Sequence, residues 1–482
     1  METWSSQRGF ILAAVGSAVG IGNIWRFSSV VGQNGGGAYL LPYVLAILVL
    51  AIPLMVLELA AGRRLRANLV AALRTLSPRA EIAGWLIATV VFTILSYYLV
   101  ITGWTLAFFV ADAAGREMTF EAYTAGYGPV LTYGVTLVIV GAVVSLGVRA
   151  GIERLSSVLM PAAFVILAVL FVYAATLDGF GEGLRFLFEP DFSVLGRAEL
   201  WSAALGQAFF SLSVGFGILI TYGAYVERRT DLVMASAVIS LADVAVALLA
   251  GMTVFAVVFT YGLEPAAGAE LAFSSLPQAF AQMPGGGVLG PAFFLLLFFA
   301  GLTSAVSMLE LSVAALEERT RLTRRQCAAL LTVLLGALGL PSALSYSGMD
   351  LQVAGWRVLD LLDETVGTMG LPVTALIIVV IVMRRLPRGW LAAELGLAPG
   401  ERSPRALIEP MVRWVIPVAL AGLTISRVAL HIDPPGWHQM PGVAYLGAGR
   451  QVLVTVALAV ALLASTLAVV WAARRRWPPR GR

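Results

Sequence analysis

Lysine is absent from this 482-residue chain, so all 32 of its basic side chains are arginine. We read that bias as a coding preference rather than a functional signal. A single cysteine, Cys327, excludes a disulfide framework. Two histidines, His431 and His438, leave too few imidazoles for a histidine metal site. Charge is scarce as well. Only 12% of residues are Asp, Glu, Lys or Arg, against about a quarter in soluble domains. No nucleophile–base pair or metal cluster stands out, which argues against an enzyme.

What replaces charge is apolar sequence, 59% of the chain, in blocks of roughly 20 residues, the length that crosses a hydrocarbon core. Twelve candidate spans follow: 9–37, 39–61, 83–111, 129–148, 155–177, 199–226, 231–261, 289–318, 325–343, 357–384, 408–430 and 448–473. A piece near 271–283 is too short to cross. The connectors are short and rich in Gly, Pro and charge, so 1–482 reads as one all-α polytopic membrane domain. The first apolar run, from Gly9, lacks a charged leader and a small-residue cleavage site, and is expected to stay in the mature chain.

Arginine sets the orientation. With loops assigned alternately from an inside N-terminus, 25 of the 32 arginines fall inside and five outside, at Arg116, Arg185, Arg197, Arg357 and Arg450. Both termini are therefore expected on the cytoplasmic face of the cell membrane. The arginines sit at helix ends, which a membrane explains better than nucleic acid does.

Two spans carry glycine clusters at mid-depth. The first reads Gly16-Ser17-Ala18-Val19-Gly20-Ile21-Gly22-Asn23, and the sixth Ser211-Leu212-Ser213-Val214-Gly215-Phe216-Gly217. Each glycine costs a helix interior about 1 kcal/mol, and backbone freed there must face protein, a cavity or an ion. Either cluster alone reads as close helix packing. Two clusters five spans apart fit an inverted repeat whose broken helices bind a substrate at the midplane.

Gly9 to Tyr43, GFILAAVGSAVGIGNIWRFSSVVGQNGGGAYLLPY, resembles the first-helix signature of the neurotransmitter:sodium symporter family. The resemblance continues through Ser96-Tyr97-Tyr98, Gly151-Ile152-Glu153-Arg154, Gly206-Gln207-Ala208-Phe209-Phe210 and Phe299-Ala300-Gly301-Leu302-Thr303-Ser304. It implies two inverted five-helix repeats, 1–177 and 199–384, with broken first and sixth helices and two peripheral helices within 408–473. It implies sodium-coupled symport of a small amino acid by alternating access. The peripheral helices would offer a surface for a homodimer.

By the same resemblance, one sodium ion would bind carbonyls of Gly16, Val19 and Ala300 and the hydroxyls of Thr303 and Ser304. Positions 300, 303 and 304 share one helical face, unless the two hydroxyls bond back to their own helix. The other sodium would take Ala18, Asn23, Ser211 and the position filled by Asp243. An intramembrane carboxylate costs roughly 2.5–3.5 kcal/mol at a helix centre, and a cation is its natural partner. The substrate carboxylate would meet Ile21, Gly22 and Tyr98, and its ammonium Ala18, Phe210, Ser211 and Ser213. Ile94, Phe210, Phe216, Ser304 and Met308 would line the side-chain end, which suggests a neutral, hydrophobic substrate. Gly20 stands where monoamine-transporting relatives carry Asp, so the substrate should bring its own carboxylate. Glu58 would tie down the broken sixth helix.

Arg26 and Asp363 would close the outer path over a lid of Tyr98 and Phe210. The inner gate of the family joins an N-terminal arginine to an acid at the end of span eight, here Glu318 beside Tyr225. Only Met1-Glu2-Thr3 precede Trp4, so the arginine is missing, and either Arg8 takes its part or the start codon is misplaced. Ser28 departs from the proline usual in the family. Chloride is not expected, because the Asp243 charge would replace it. Two other readings remain: the same fold driven by protons, and an amino-acid sensor that binds without translocating. The paired hydroxyls at 303 and 304 weigh against the first, and the lack of long cytoplasmic tails against the second.

Overall fold

A computed structural model describes residues 3–264, 271–353, 355–398, 401 and 403–432. Helix dominates it, as expected where lipid leaves backbone groups no partner but each other. In chain order the main helices are α1 (Gln7–Ala18), α2 (Gly22–Gln33), α3 (Gly36–Leu65), α4 (Leu69–Leu76), α5 (Pro78–Ala113) and α6 (Gly128–Ser145). Next come α7 (Val148–Ala174), α8 (Phe180–Phe188), α9 (Ala198–Ser211), α10 (Ile218–Ala224) and α11 (Leu232–Thr260). The series closes with α12 (Gly286–Arg319), α13 (Arg324–Leu344), α14 (Val358–Arg385) and α15 (Pro404–Ser426). The only strands among the described residues are the two-residue pair Gln352–Val353 and Trp356–Arg357, joined antiparallel.

The expected count of twelve spans is corrected here. Among the described residues nine helices are long and apolar enough to cross a membrane, or ten if the bent pair α1 and α2 is one span. The sixth segment drops out because its halves, 14 residues in α9 and 7 in α10, are each shorter than the roughly 20 residues a crossing needs. The segment 448–473 lies outside the described residues, as do the arginines from 474 onward and the two histidines' side chains. The short piece near 271–283 appears as a single turn, Leu271–Ser275, followed by the helix Leu276–Gln282.

Sequence explains several helix ends. Thr323 and Gln326 form a reciprocal capping box at the start of α13. Asp231 accepts from the Val233 and Met234 N–H groups at the start of α11. The helices sort into an enclosed set and a lipid-facing set. In both α5 and α12 83% of the apolar window is buried, against 28% in α7 and α15. Large exposed side chains such as Val165 and Val172 on α7 and Trp414, Val418 and Ile425 on α15 therefore face the surround. Around the enclosed α5–α12 pair pack the breaks of the first and sixth segments.

Candidate functional site

The first break follows from three residues. Helix α1 ends at Ala18, Val19 is extended at φ −71° and ψ 104°, and α2 resumes at an angle of 54°. The freed Gly20 N–H donates to Asn23 Oδ1 at 2.9 Å, and the Ile21 N–H donates to the Tyr98 hydroxyl at 3.3 Å. A Cβ on Gly20 would sit 3.0 Å from Tyr98 Oη and 3.1 Å from Ser304 Oγ, so a larger residue would push these two groups outward by a few tenths of an ångström.

The second break is more strained. Ser213, Gly215 and Gly217 all have positive φ, at 51°, 86° and 74°. For a serine that conformation is uncommon. Its hydroxyl compensates by donating to the Ser17 carbonyl at 2.7 Å, which ties one break to the other. Glu58, fully buried, accepts the Gly215 N–H at 2.6 Å, in agreement with the supporting part expected of it.

Between the breaks lies a small pocket lined by Ala18, Gly22, Ile94, Tyr98, Phe210, Ser211, Ser213, Phe216, Ser304 and Met308. These are the sequence-derived substrate residues apart from Ile21, which contributes its N–H from behind Tyr98. Ser17, Gly20 and Asn23 also line it. Sequence reasoning left Ser17 without a role, although a hydroxyl inside a glycine-rich break is itself a signal of polar lining.

Two oxygen clusters flank the cavity. Ser304 Oγ lies 3.2 Å from the Gly16 carbonyl, 3.3 Å from that of Ser17 and 3.4 Å from that of Val19. Thr303 instead bonds back to its own helix, to Phe299 O at 3.0 Å and Ala300 O at 3.1 Å. Of the two hydroxyls only Ser304 reaches the carbonyls of the first break; that of Thr303 also lies 3.8 Å from Met160 Sδ on α7. On the other side Asp243, with no exposed surface, accepts from Asn23 Nδ2 at 2.6 Å and from Ser211 Oγ at 2.8 Å. Its charge is met by neutral donors, and the Asn23 amide turns its nitrogen toward the carboxylate.

The sequence model of the sodium:neurotransmitter symporter family matches residues 1–125 and 128–474. The chain belongs to that family. It is accordingly a membrane transporter and not an enzyme. An uncharacterised sodium-dependent transporter of Bacillus subtilis, YhdH, is 35% identical over 443 residues, covering 89% of this chain and 98% of the relative. The crystal structure of MhsT in complex with L-phenylalanine superposes with a TM-score of 0.82 at 37% identity, over 89% of this chain and all of that one. A sodium-dependent neutral amino acid transporter of Bos taurus, B(0)AT2, is 30% identical over 292 residues, 53% of this chain and 40% of that protein.

The symporter's expected gates are rearranged. Arg26 and Asp363 do not form an ion pair. The Arg26 guanidinium lies over the Phe210 ring, 4.6 Å from its centroid, and Asp363 accepts from the Tyr97 hydroxyl at 3.0 Å. On the inner side Tyr225 does not meet Glu318. Its hydroxyl donates to Glu310 at 3.1 Å, and Glu310, fully buried, is ion-paired with Arg324. Glu318 accepts from Asn68 Nδ2 at 2.6 Å and from Arg74 Nη2 at 2.8 Å, while Arg8 is exposed and forms no ion pair among the described residues. Glu310 was missed, although an acid six residues beyond Ser304 in an apolar helix is costly enough to demand a partner.

Proposed function

We propose that this transporter carries a neutral, hydrophobic amino acid inward with two sodium ions. The observation that supports it most is the pairing of two helix breaks around one cavity, with a carbonyl–hydroxyl cluster on one side and a buried carboxylate on the other. Carbonyls and hydroxyls are hard oxygen donors that replace a cation's water without adding net charge. In this reading the ion near Ser304 takes Gly16, Val19, Ala300 and Thr303, the last after its hydroxyl turns its lone pair inward. The ion near Asp243 takes Ala18, Ser211 and the Asn23 oxygen, which requires that amide to rotate.

The substrate's ammonium would meet carbonyls of the broken backbone and its carboxylate the N–H groups near Ile21 and Gly22. Ile94, Phe216 and Met308 leave no partner for a charged side chain, whose burial would cost several kcal/mol. That MhsT holds L-phenylalanine and B(0)AT2 is a neutral amino acid transporter agrees with this class. Chloride is not required in this reading, because Asp243 supplies the negative charge. The residues 1–177 and 199–384 would act as the two moving repeats, with both termini cytoplasmic. A homodimer through the apolar face of Trp414, Val418 and Ile425 belongs to the same reading.

A panel of radiolabelled amino acids, bound with and without sodium, tests the substrate class. If glutamate or arginine saturates the site better than leucine, tryptophan or methionine, the reading is wrong. A cysteine introduced within 178–198 should label from outside intact cells. Labelling only after lysis would overturn the orientation.

A further inference from the structure

Arg63, near the end of α3, is 6% exposed, and a guanidinium held that far from water needs acceptors for its N–H groups. Two residues supply them. Nε donates to Glu394 Oε1 at 2.7 Å, Nη2 to the Glu394 carbonyl at 2.7 Å, and Nη1 to the Thr230 carbonyl at 2.6 Å. Glu394 ends a short helix, Trp390–Glu394, in the link between α14 and α15. Thr230 directly precedes Asp231, whose side chain caps α11. One side chain therefore fastens the α14–α15 link to the end of α3 and to the start of α11.

The link is seated against these helices. Trp390 is 3% exposed and Leu391 fully buried, and the Arg64 guanidinium lies 5.9 Å from the Trp390 ring centroid. Arg405, at the start of α15, also pairs with Asp231 at 2.7 Å, but their side chains are 41% and 40% exposed, and such a pair contributes little. Arg63 is the buried fastening. Helix α10 belongs to the same body as α3. A Cβ on Gly62 would fall 2.0 Å from the Ile220 carbonyl oxygen, and one on Gly223 would fall 2.5 Å from that of Leu59, so the two helices meet backbone to backbone.

The far part of α14 is attached elsewhere, since Asp363 accepts from Tyr97 on α5 at 3.0 Å. Next to that attachment α14 widens into a π-turn at Asp363–Thr368, a geometry at which helices bend. We propose that Arg63 is a positioning residue of the transport cycle: through Glu394 it makes the link and the adjoining end of α14 travel with α3, α10 and α11, so that α14 bends at 363–368 when those helices move against α5. The inference rests on the alternating-access reading above. Loss of one hydrogen bond to a charged group shifts a two-state equilibrium by about tenfold or more, so removing the guanidinium should raise the share of unseated link by that factor.

The test uses the full chain carrying Cys327→Ala, with two readouts. In nanodiscs, maleimide labelling of Leu391→Cys reads the seating of the link, and Arg63→Gln should speed it about tenfold. Unchanged labelling would overturn the fastening. In proteoliposomes, Arg63→Gln and the pair Arg64→Cys/Glu394→Cys should each lower maximal sodium-driven uptake about tenfold and leave half-saturating substrate unchanged. Arg64 Nη1 lies 3.8 Å from Glu394 Oε2, so a flexible bis-methanethiosulfonate can bridge the two introduced thiols. Bridging should restore uptake, both in the pair and with Arg63→Gln added, because it fastens the link to α3 by another bond. Blocked uptake on bridging would show that the link must move against α3, and wild-type uptake by Arg63→Gln would leave the side chain a packing role only; either result overturns the proposal. A parent chain with no sodium-driven uptake would instead sink the transport reading, while the labelling still decides whether Arg63 seats the link.

Discussion

Replacing Asp243 with asparagine removes one charge and almost no volume, and the structure bounds what that charge is worth. The carboxylate lies 2.6 Å from the Asn23 amide nitrogen and 2.8 Å from the Ser211 hydroxyl, so an ion held among the three sits within about 4 Å of it. At that distance, with an effective dielectric of 20, the attraction is about 4 kcal/mol. Asp243→Asn should therefore raise the half-saturating sodium concentration by roughly two to three powers of ten. Stability should move the other way, because a bare carboxylate at mid-membrane depth costs roughly 2.5–3.5 kcal/mol and an amide far less. The variant should thus melt no lower than wild type while binding sodium poorly. The assay is equilibrium binding of a labelled substrate across a sodium titration, in chloride and in gluconate. Wild type should behave alike in both media. The asparagine variant should bind better in chloride, where an anion can restore the balance. Wild-type binding that disappears in gluconate would refute the reasoning, and so would an asparagine variant with normal sodium affinity there.

Three further outcomes follow from the same geometry. Ser304→Ala should raise half-saturating sodium more than Thr303→Ala, because Ser304 already faces three carbonyls across the gap while Thr303 bonds to its own helix; equal, wild-type titrations in both would remove this cluster from the mechanism. Arg26→Ala should slow uptake well beyond a local packing defect, since the guanidinium caps Phe210 in this structure and is proposed to meet Asp363 on closure; wild-type uptake would exclude it. Glu310→Gln removes the buried partner of Arg324 but leaves Glu317 Oε2 3.6 Å from its guanidinium, so thermal unfolding in detergent should show a loss smaller than the roughly 3–5 kcal/mol of a fully broken buried pair, which Glu310→Gln/Arg324→Gln partly recovers.

Much of the site was legible because its chemistry is written in residue types that are expensive at depth. Gly20, Gly22, Gly215 and Gly217 mark breaks wherever they fall in an apolar run. Asp243 and Glu58 stand out among neighbours that are almost all apolar. Thr303 and Ser304 sit on a face with Ala300. The span count was not legible in the same way. Hydropathy averages across a break, so 199–226 reads as one crossing, although its backbone leaves the helix between Leu212 and Gly217 and neither half is long enough alone. Charge pairing was the least legible of all. Sequence separation gives no hint that Arg324 turns back to Glu310, or that Asn68 and Arg74, before and on the short helix α4, take both oxygens of Glu318.

The two gates differ in a way that bears on how the cycle would run. On the outer side the expected partners are apart, with Arg26 on an aromatic face and Asp363 on the Tyr97 hydroxyl. On the inner side the contacts are made, from Thr3 and Ser5 to Arg149 and Glu153 and from Tyr225 to Glu310 and Arg324. The inner contacts include the buried carboxylates of Glu153 and Glu310, whereas a cation–π contact worth about 0.5–2 kcal/mol and one hydrogen bond to a carboxylate hold the outer ones. If the structure stands for the outward-closing side of the cycle, opening inward is the costlier step, and binding energy must supply it. In the proposed reading, two ions and a substrate bridging α1, α9, α11 and α12 would supply it. A ligand shifts such an equilibrium only by its differential affinity for the two states. Ions that bind the closed site tightly but the inward-open site equally well would therefore drive nothing. The breaks at 19–21 and 212–217 matter to this reading for that reason: backbone carbonyls that move with the helices would be ligands in one state and dispersed in the other.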